Sequence, residues 1–301
     1  MIDRDKITAI FVSIDDFCKL FDPCLEKKLI GRPKLRNKPC KLSISEVMTI
    51  QVAFHQSGYR NFKTFYLQYV CRHMRDLFPR TVSYNRMTEL CSHSMLHLFA
   101  YLKTMGLGHC TGLSFVDSTP LRVCHNKRIH QHKTFKGLAQ RGQCSVGWFY
   151  GFKLHLLNND RGELIDIFLT PGNVDDRKPL KIKSFIKKLW GKLFGDKGYI
   201  GKELFHSLFS KGIHMVTKLK RNMKSTALTP LMDAIMIRKR AIAETIIDQL
   251  KNICQVEHSR HRSAINFFNN LFAALIAYNF QDKKPSLRTQ FTDTKQLFLP
   301  L

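Results

Sequence analysis

The sequence predicts an α/β protein with a helical N-terminal part and a following domain in which helices flank a mixed β-sheet. Apolar residues recur at helical spacing up to about residue 110, and beyond it the apolar segments are short and end in turn residues. The composition is globular, since 44% of the 301 residues are hydrophobic and 24% are charged. We therefore expect a helical domain over 1–110, an α/β domain over 111–280 and a loose tail over 281–301.

Three helices are predicted in the N-terminal domain. The first follows Ser43, which has the spacing of a capping box with Glu46, and a Ser-Gly pair ends it. The second is predicted over YRNFKTFYLQYVCRHMRDLF, and the third over SYNRMTELCSHSMLHLFAYLKTMG, which a glycine closes. A basic, proline-containing linker, GRPKLRNKPCK, precedes all three helices.

Four strands and a crossover helix are predicted after residue 110. Short apolar segments bounded by turn residues are typical of strands, and a helix between the third and the fourth would connect them within a mixed sheet. Helices alone are predicted after the fourth strand. The strands are GLSFVDSTPL, GWFYGFKLHLL, ELIDIFLTPGN and KLWGKLFGDKG, and the crossover helix is DDRKPLKIKSFIKK.

The charge of the chain indicates a polyanionic partner. The sequence has 49 Lys and Arg against 23 Asp and Glu, a net charge of +26, which favours nucleic acid. A membrane partner is not expected, because the longest apolar segment, LFAALIAYNF, is about half of the roughly 20 residues that a spanning helix needs. The N-terminus opens with acids and lacks a signal-peptide pattern, so we expect a cytoplasmic protein.

Two aspartates occupy predicted strands of a chain that has few acids. Asp117 lies within the first strand, in FVDST, and Asp196 ends the fourth, in FGDKG. A carboxylate inside an apolar strand is costly unless something compensates its charge. Each aspartate could cap a neighbouring turn or pair with a lysine, or the two could belong to one site.

A third carboxylate, Glu244, lies in the predicted helix RKRAIAETIIDQLK. Arg240, Glu244, Asp248 and Lys251 follow one another at offsets of four, four and three residues, so they share one helix face. A solvated face with ion pairs between successive turns is the alternative interpretation.

Three carboxylates on two strands and a helix have a chemical use. Hard oxygen ligands bind Mg²⁺ or Mn²⁺, and two such ions can activate an attacking oxygen and stabilise a leaving oxygen at phosphorus. The basic surface would bind the DNA backbone while these acids hold the metal ions.

Several segments resemble, in order and spacing, the DDE transposases of bacterial insertion sequences: FVDSTPL, GWFYGFKLHLL, LTPGNVDD, FGDKGYIG and RAIAETIIDQLK. LSISEVMTI, SYNRMTEL and EHSRHRSAINFFNNLFAALIAY resemble most the insertion sequence 982 family, and the resemblance covers roughly residues 40–285. It implies an RNase H-like catalytic core in which Asp117, Asp196 and Glu244 are the catalytic, metal-binding acids and hold two Mg²⁺ or Mn²⁺ ions.

Arg240 and Lys251 are candidate DNA-binding residues. Related families carry a Tyr-Arg-Glu-Lys signature around the third acid; Arg240, Glu244 and Lys251 keep its last two gaps, and Ile237 stands at the tyrosine position. A guanidinium suits bidentate phosphate recognition and an ammonium acts as a mobile point charge, so both cations are expected near the scissile phosphate. Salt bridges to the acids of the same face are the alternative.

Two basic segments are further candidates for DNA contact. One joins the first two predicted strands directly after Asp117, where it could follow a phosphate backbone, and the other is TKLKRNMK. Loops that serve only solubility are the alternative. The candidate residues are Arg122, Lys127, Arg128, Lys133 and Lys136 in the first segment and Lys218 and Lys220 in the second.

Together these features predict a transposase that binds the ends of its insertion sequence and performs metal-dependent DNA cleavage and strand transfer. A helix-turn-helix among the N-terminal helices would recognise the ends. The protein would act as a homo-oligomer on element-end and target DNA, associated with the bacterial nucleoid. The alternatives are an RNase H-like nuclease or resolvase that does not join DNA, and a decayed transposase that only binds it.

Overall fold

The computed structural model describes residues 3–28, 40–218, 230–257 and 261–287. Within these ranges the chain forms two compact units. The helical unit comprises Met1–Gly106 and Gln249–Gln281, and the sheet unit comprises Leu107–Asp248 and Asp282–Leu301. The helical unit thus includes residues that the sequence analysis assigned to the α/β domain. Most of the expected linker before the first predicted helix, and the greater part of the expected tail, lie outside the described residues.

The helices of the described residues differ from the prediction mainly at their ends. The structure adds an N-terminal helix, gives the second predicted helix a π-helical centre, and divides the third at Ser94. The helical segments are α1 Arg4–Lys28, α2 Ile44–Gln56, α3 Phe62–Thr64, a π-helix Phe65–Val70, α4 Cys71–His73, α5 Tyr84–His93, α6 Met95–Thr104, α7 Lys183–Ile186, α8 Lys202–Phe209, α9 Leu231–Lys239, α10 Ala241–Asn252 and α11 Ala264–Asn279.

The capping box predicted at the start of α2 is confirmed. The Ser43 hydroxyl accepts a hydrogen bond from the Glu46 amide at 3.1 Å, and the Ser43 amide donates to the Glu46 carboxylate at 2.6 Å. Two amides that the helix leaves without an internal partner are therefore satisfied, which fixes the first residue of α2.

The helical unit is assembled from two distant stretches of chain because α11 is apolar on almost every side. Residues 273–278 are completely buried, and α11 packs against α2, α5 and α6. Gln56 donates a hydrogen bond to the carbonyl of Ala277 at 3.0 Å, and Asn269 donates to the carbonyl of Cys91. The prediction of a helix in this part of the chain is confirmed, and its partners are the N-terminal helices.

The sheet has the strand order β2-β3-β1-β5-β6, with β4 also paired to β3. β3 is antiparallel to β1, β2 and β4, whereas β5 is parallel to β1 and β6 is parallel to β5. This mixed sheet flanked by helices is of the RNase H-like type and confirms the predicted fold class. The strands are β1 Leu113–Cys124, β2 Gln140–Cys144, β3 Gly147–Asn159, β4 Leu164–Pro171, β5 Gly191–Gly195 and β6 Ile213–Thr217.

Two strands and part of the crossover differ from the prediction. β2 is polar and pairs through its backbone along one end of β3, so it lacks an apolar pattern. β6 lies in a region for which only helices were predicted, and it extends the sheet beside β5. The crossover consists of a 3₁₀ turn, Pro179–Lys181, and the four-residue α7, which is shorter than the predicted helix.

The register of β1 with β5 determines where the aspartates meet. Phe115 pairs with Phe194, and their ring centroids are 5.5 Å apart. Because side chains alternate along a strand, Asp117 and Asp196, each two residues further on, point to the same face as these rings. The opposite face carries Val116 in an apolar cluster with residues of β3, β5 and α8.

Gly151 provides a test of the contact between β3 and β1. A Cβ atom at Gly151 would lie 2.0 Å from the carbonyl oxygen of Leu121, which is backbone and has no room to move away. Gly151→Ala should therefore lower the free energy of unfolding by about 1–3 kcal/mol or more. Gly198→Ala is the matched control, because no atom lies within 4 Å of its added Cβ. Equal stabilities of the two variants in urea denaturation would contradict this packing.

Candidate active site and basic loop

Asp117 is a partly buried carboxylate on the central strand of the sheet. Its Oδ1 atom accepts a hydrogen bond from the Ser118 amide at 2.8 Å, and its side chain is 19% exposed. Asp196 directly follows β5, is exposed, and is the residue from which a 3₁₀ turn begins. The two aspartates thus lie just beyond the pairing between two neighbouring parallel strands, a pairing that was not predicted from the sequence.

Arg240 connects Asp117 to Glu244. Its Nη1 atom lies 3.5 Å from Oδ2 of Asp117, and its Nη2 atom lies 2.8 Å from Oε1 of Glu244. Arg240 directly precedes α10 and Glu244 is in its first turn, which gives the predicted four-residue offset. The structure therefore contains the salt bridges that the sequence analysis gave as the alternative for Arg240.

The three candidate acids act on one another electrostatically. Burial raises the pKa of Asp117 to about 6, and the negative charges of Glu244 and Asp196 contribute to this rise. The Ser118 amide and the charge of Arg240 oppose it. Such mutual repulsion between carboxylates shows that the structure brings Asp117, Asp196 and Glu244 into one neighbourhood.

A second polar group, on the face of the sheet opposite the Asp117 side chain, was not identified from the sequence. On β3, Lys153 donates to Oδ1 of Asp176 at 3.1 Å and to the carbonyl of Val174 at 3.1 Å. His155 pairs in register with Ser118 and shares a 2.9 Å hydrogen bond with Thr170. The signal was present in FKLHL, where two polar residues alternate with apolar ones on a strand that is otherwise apolar.

Tyr199 completes this neighbourhood from the turn after Asp196. Its side chain is 3% exposed. Burial raises the pKa of the Tyr199 hydroxyl well above its ordinary value, and the charges of Asp117 and Asp176 add to the effect. Tyr199 belongs to the apolar cluster that contains Val116, and its hydroxyl stays a neutral phenol.

The donor set is chemically suited to a divalent cation. Carboxylate oxygens are hard ligands, and a cation among them would relieve the repulsion that acts on Asp117. Arg240 supplies one positive charge at this position. In the described part of the chain, no group of three or more His, Cys, Asp or Glu side chains is arranged to hold a metal ion. The residues fit a divalent metal by chemistry, although their present arrangement is organised around a guanidinium.

The basic segment after Asp117 forms an exposed loop and a hairpin. Its cations come from the end of β1, from a 3₁₀ helix over Asn126–Gln131 and from the chain up to β2, and the buried ring of Phe135 anchors the loop. Arg141 lies over the exposed indole of Trp148, 4.8 Å from the ring centroid. The predicted cations Arg122, Lys127, Arg128, Lys133 and Lys136 are all exposed.

The remaining predicted DNA contacts are not all placed beside the acids. Lys251 lies in the last turn of α10, where it belongs to the helical unit and pairs with Glu257 at 3.3 Å. Lys218 is exposed directly after β6. Lys220 lies outside the described residues. Ile237, which stands where related families have tyrosine, lies in α9.

An RNase H-like sheet with carboxylates at the ends of its central parallel strands defines the class of the protein. The chain belongs to the transposase DDE domain family, whose model matches residues 107–264, more than half of the chain. The matched range begins at the same residue as the sheet unit. No curated protein matches the chain. No helix in the ranges described by the structure has the length and apolar character needed to cross a membrane.

Among solved structures, the chain is similar to the cryo-EM structure of a piggyBac transposase synaptic complex with hairpin DNA. The two share 10% sequence identity with a TM-score of 0.44, and the match covers 90% of this chain and 72% of that chain. At this TM-score the likeness transfers neither a site nor a ligand to the present chain.

His155 predicts a pH dependence of stability. Burial lowers its pKa to about 4 from an ordinary 6.5, so the unfolded chain binds a proton more readily as the pH falls below 6.5. Protonation of His155 in the unfolded chain therefore lowers the free energy of unfolding only slightly above pH 6.5. The decrease grows as the pH falls and reaches about 2 kcal/mol at pH 5. In His155→Gln, the decrease in free energy of unfolding between pH 7 and pH 5 should be smaller by this amount. Urea denaturation at both pH values measures it, and identical pH dependences would contradict the assignment.

Proposed function

We propose that the chain is a DNA transposase whose active site is formed by Asp117, Asp196 and Glu244. The observations that support this proposal are that the chain belongs to the transposase DDE domain family, that Arg240 bridges Asp117 and Glu244, and that Asp196 follows the strand paired in parallel with β1. The reaction would begin with attack of water on a phosphorus at the element end, which breaks the bond to O3′ and frees a 3′-hydroxyl. That hydroxyl would then attack a phosphorus of target DNA, so that a new phosphodiester bond forms while the target's own P–O3′ bond breaks and its O3′ leaves as a hydroxyl.

The carboxylates would hold two Mg²⁺ or Mn²⁺ ions. Such ions, when bound, lower the pKa of a coordinated oxygen nucleophile and stabilise the charge of the leaving oxygen. The rigid central strand fixes Asp117, whose Oδ1 is held by the Ser118 amide. Asp196 and Glu244 project from a strand end and a helix start, where the first turn favours an acid.

Arg240 would exchange its carboxylate partners for a phosphate of DNA. Its guanidinium bridges Asp117 and Glu244, and its side chain is 20% exposed, so it is accessible from the site. A guanidinium binds phosphate with the same paired donors that it offers a carboxylate. In this role Arg240 would neutralise the scissile phosphate instead of the two carboxylates that it bridges here.

The remaining DNA contacts would come from the basic loop and from the helical unit. The exposed cations between β1 and β2, together with the Arg141–Trp148 pair, suit a phosphate backbone and an adjacent base. The N-terminal helices would recognise the ends of an insertion element of the insertion sequence 982 type. The protein would work as a homo-oligomer in the bacterial cytoplasm, on the nucleoid.

The first test concerns the acids. Asp117→Asn, Asp196→Asn and Glu244→Gln should each abolish cleavage and joining while DNA binding is retained. The substrate is a plasmid with the coding sequence and its flanking DNA, incubated with Mg²⁺ or Mn²⁺ and analysed for both products. Asp248→Asn, one turn beyond Glu244 and exposed, is the matched control and should retain activity.

Each failure of this test has a distinct meaning. Normal cutting by Glu244→Gln together with inactivity of Asp248→Asn would show that the wrong acid was chosen on α10. Hydrolysis without joining by the wild type would indicate a nuclease or resolvase. Binding without any cutting would indicate a protein that only binds DNA.

A second test concerns salt. Because bound cations displace counterions from DNA, the logarithm of affinity should fall linearly with the logarithm of salt concentration, by about 0.9 for each phosphate contact. The double variant Lys127→Ala/Arg128→Ala should reduce the magnitude of this slope by the contribution of about two phosphate contacts. The control variant Lys187→Ala/Lys188→Ala, which also replaces two exposed cations, should leave the slope unchanged. Fluorescence anisotropy on labelled duplex measures the slopes, and equal slopes for both variants would exclude the basic loop from the interface.

A further inference from the structure

The helical unit contains a cavity of about 1140 Å³ that the active site does not use. Its floor consists of buried side chains, among them Gln51, Phe54 and Asn269, and its rim carries exposed cations such as Arg60 and Arg262. All of its lining residues belong to the helical unit. The cavity therefore combines a buried interior with a cationic entrance.

Three buried amide groups of α11 on the cavity wall have an oxygen or nitrogen atom that lacks a hydrogen-bond partner among the described residues. Asn269 is 1% exposed and donates to the carbonyl of Cys91, yet its Oδ1 has no partner among the described residues. Oδ1 of Asn266 and Nδ2 of Asn270 also lack partners there. Buried polar groups without partners are costly and rare, so three amides on one wall indicate a ligand that carries both donors and acceptors.

Backbone strain occurs at the same cavity. Gln255 has a φ of 52°, in the left-handed region, and no other non-glycine residue in the described ranges has positive φ. Gln255 lines the cavity three residues after the end of α10. Strain of this kind persists where surrounding structure fixes it, and it concentrates at ligand sites.

The charges and rings of the wall define the chemistry of the ligand. Four cations line the cavity, whereas its single acid, Glu257, already pairs with Lys251 at 3.3 Å. The rings of Phe62 and Tyr84 have centroids 6.4 Å apart, and Lys63 lies over the Tyr84 ring at 5.8 Å from its centroid. Amides, aromatic faces and cations together suit a planar base that carries a phosphate.

We propose that this cavity binds one nucleotide of a DNA strand whose base has left the stack. The base would contact the aromatic rings and bond to the amides of α11, while its phosphates would meet Arg60, Lys63 and Arg262. This inference rests on the proposed function only in taking DNA as the ligand. A phosphate ion alone would use the rim but would leave the amides of the floor without partners.

The test compares three fluorescent 20-base-pair duplexes bound by the full-length protein. One has an unpaired deoxyadenosine at its centre, one has an abasic residue at that position, and one is fully paired. The wild type should bind the first about tenfold more tightly than the second, since base stacking and amide bonds are lost with the base. Asn266→Ala and Asn270→Ala should bring this ratio close to one, and Asn85→Ala, an exposed amide outside the cavity, should leave it unchanged.

Thermal unfolding of the same variants separates ligand binding from a structural role. Because Oδ1 of Asn266 and Nδ2 of Asn270 have no hydrogen-bond partners among the described residues, Asn266→Ala and Asn270→Ala should melt no lower than the wild type. A wild-type ratio near one, or a ratio that both variants retain, would overturn the nucleotide site even if paired duplex is bound. Absence of binding to all three duplexes would overturn the proposed DNA function and the nucleotide site together.

Discussion

The ion pairs of Arg240 hold the candidate site together. A carboxylate at the position of Asp117 is costly, because the central strand surrounds it with apolar side chains on both neighbouring strands. The Ser118 amide and the Arg240 guanidinium compensate this cost from two directions. Since Arg240 also binds Glu244, the same interaction fixes how the start of α10 lies against β1. The sheet therefore positions one acid directly and a second one through an arginine.

This arrangement explains why so basic a chain retains acids on and directly after the central strands of its sheet. The acids of the site are held close enough for their charges to raise the pKa of Asp117, although a lone lysine could have neutralised each of them. Repulsion between neighbouring carboxylates is expected where a site binds a cation that the protein itself does not supply. On the opposite face of the sheet, Lys153 and Asp176 neutralise each other.

Much of the fold could be predicted from the sequence, and the misses have physical causes. β1, β3, β4 and β5 were found because each has an apolar core and turn residues at its end. β2 was missed because a strand that pairs only through its backbone needs no apolar pattern. β6, in IHMVT, was missed because its alternating pattern spans only five residues and helices lie on both sides of it. The four-residue offset from Arg240 to Glu244 is typical of side chains on one helix face, but sequence spacing cannot distinguish an arginine that binds phosphate from one that binds the acid one turn away. The cavity of the helical unit could not be predicted, because its wall is formed by residues more than 150 positions apart.

The division of the helical unit between two distant stretches has a consequence for its synthesis. α2, α5 and α6 leave the ribosome long before α11, whose side chains they need in order to bury their apolar faces. At roughly 5–20 residues per second, the interval is of the order of ten seconds. During this time the sheet unit can fold between the two halves, but the nascent N-terminal helices have no complete core. The protein therefore gains a finished helical unit only when nearly the whole chain has been translated, and truncated products of its gene would lack one.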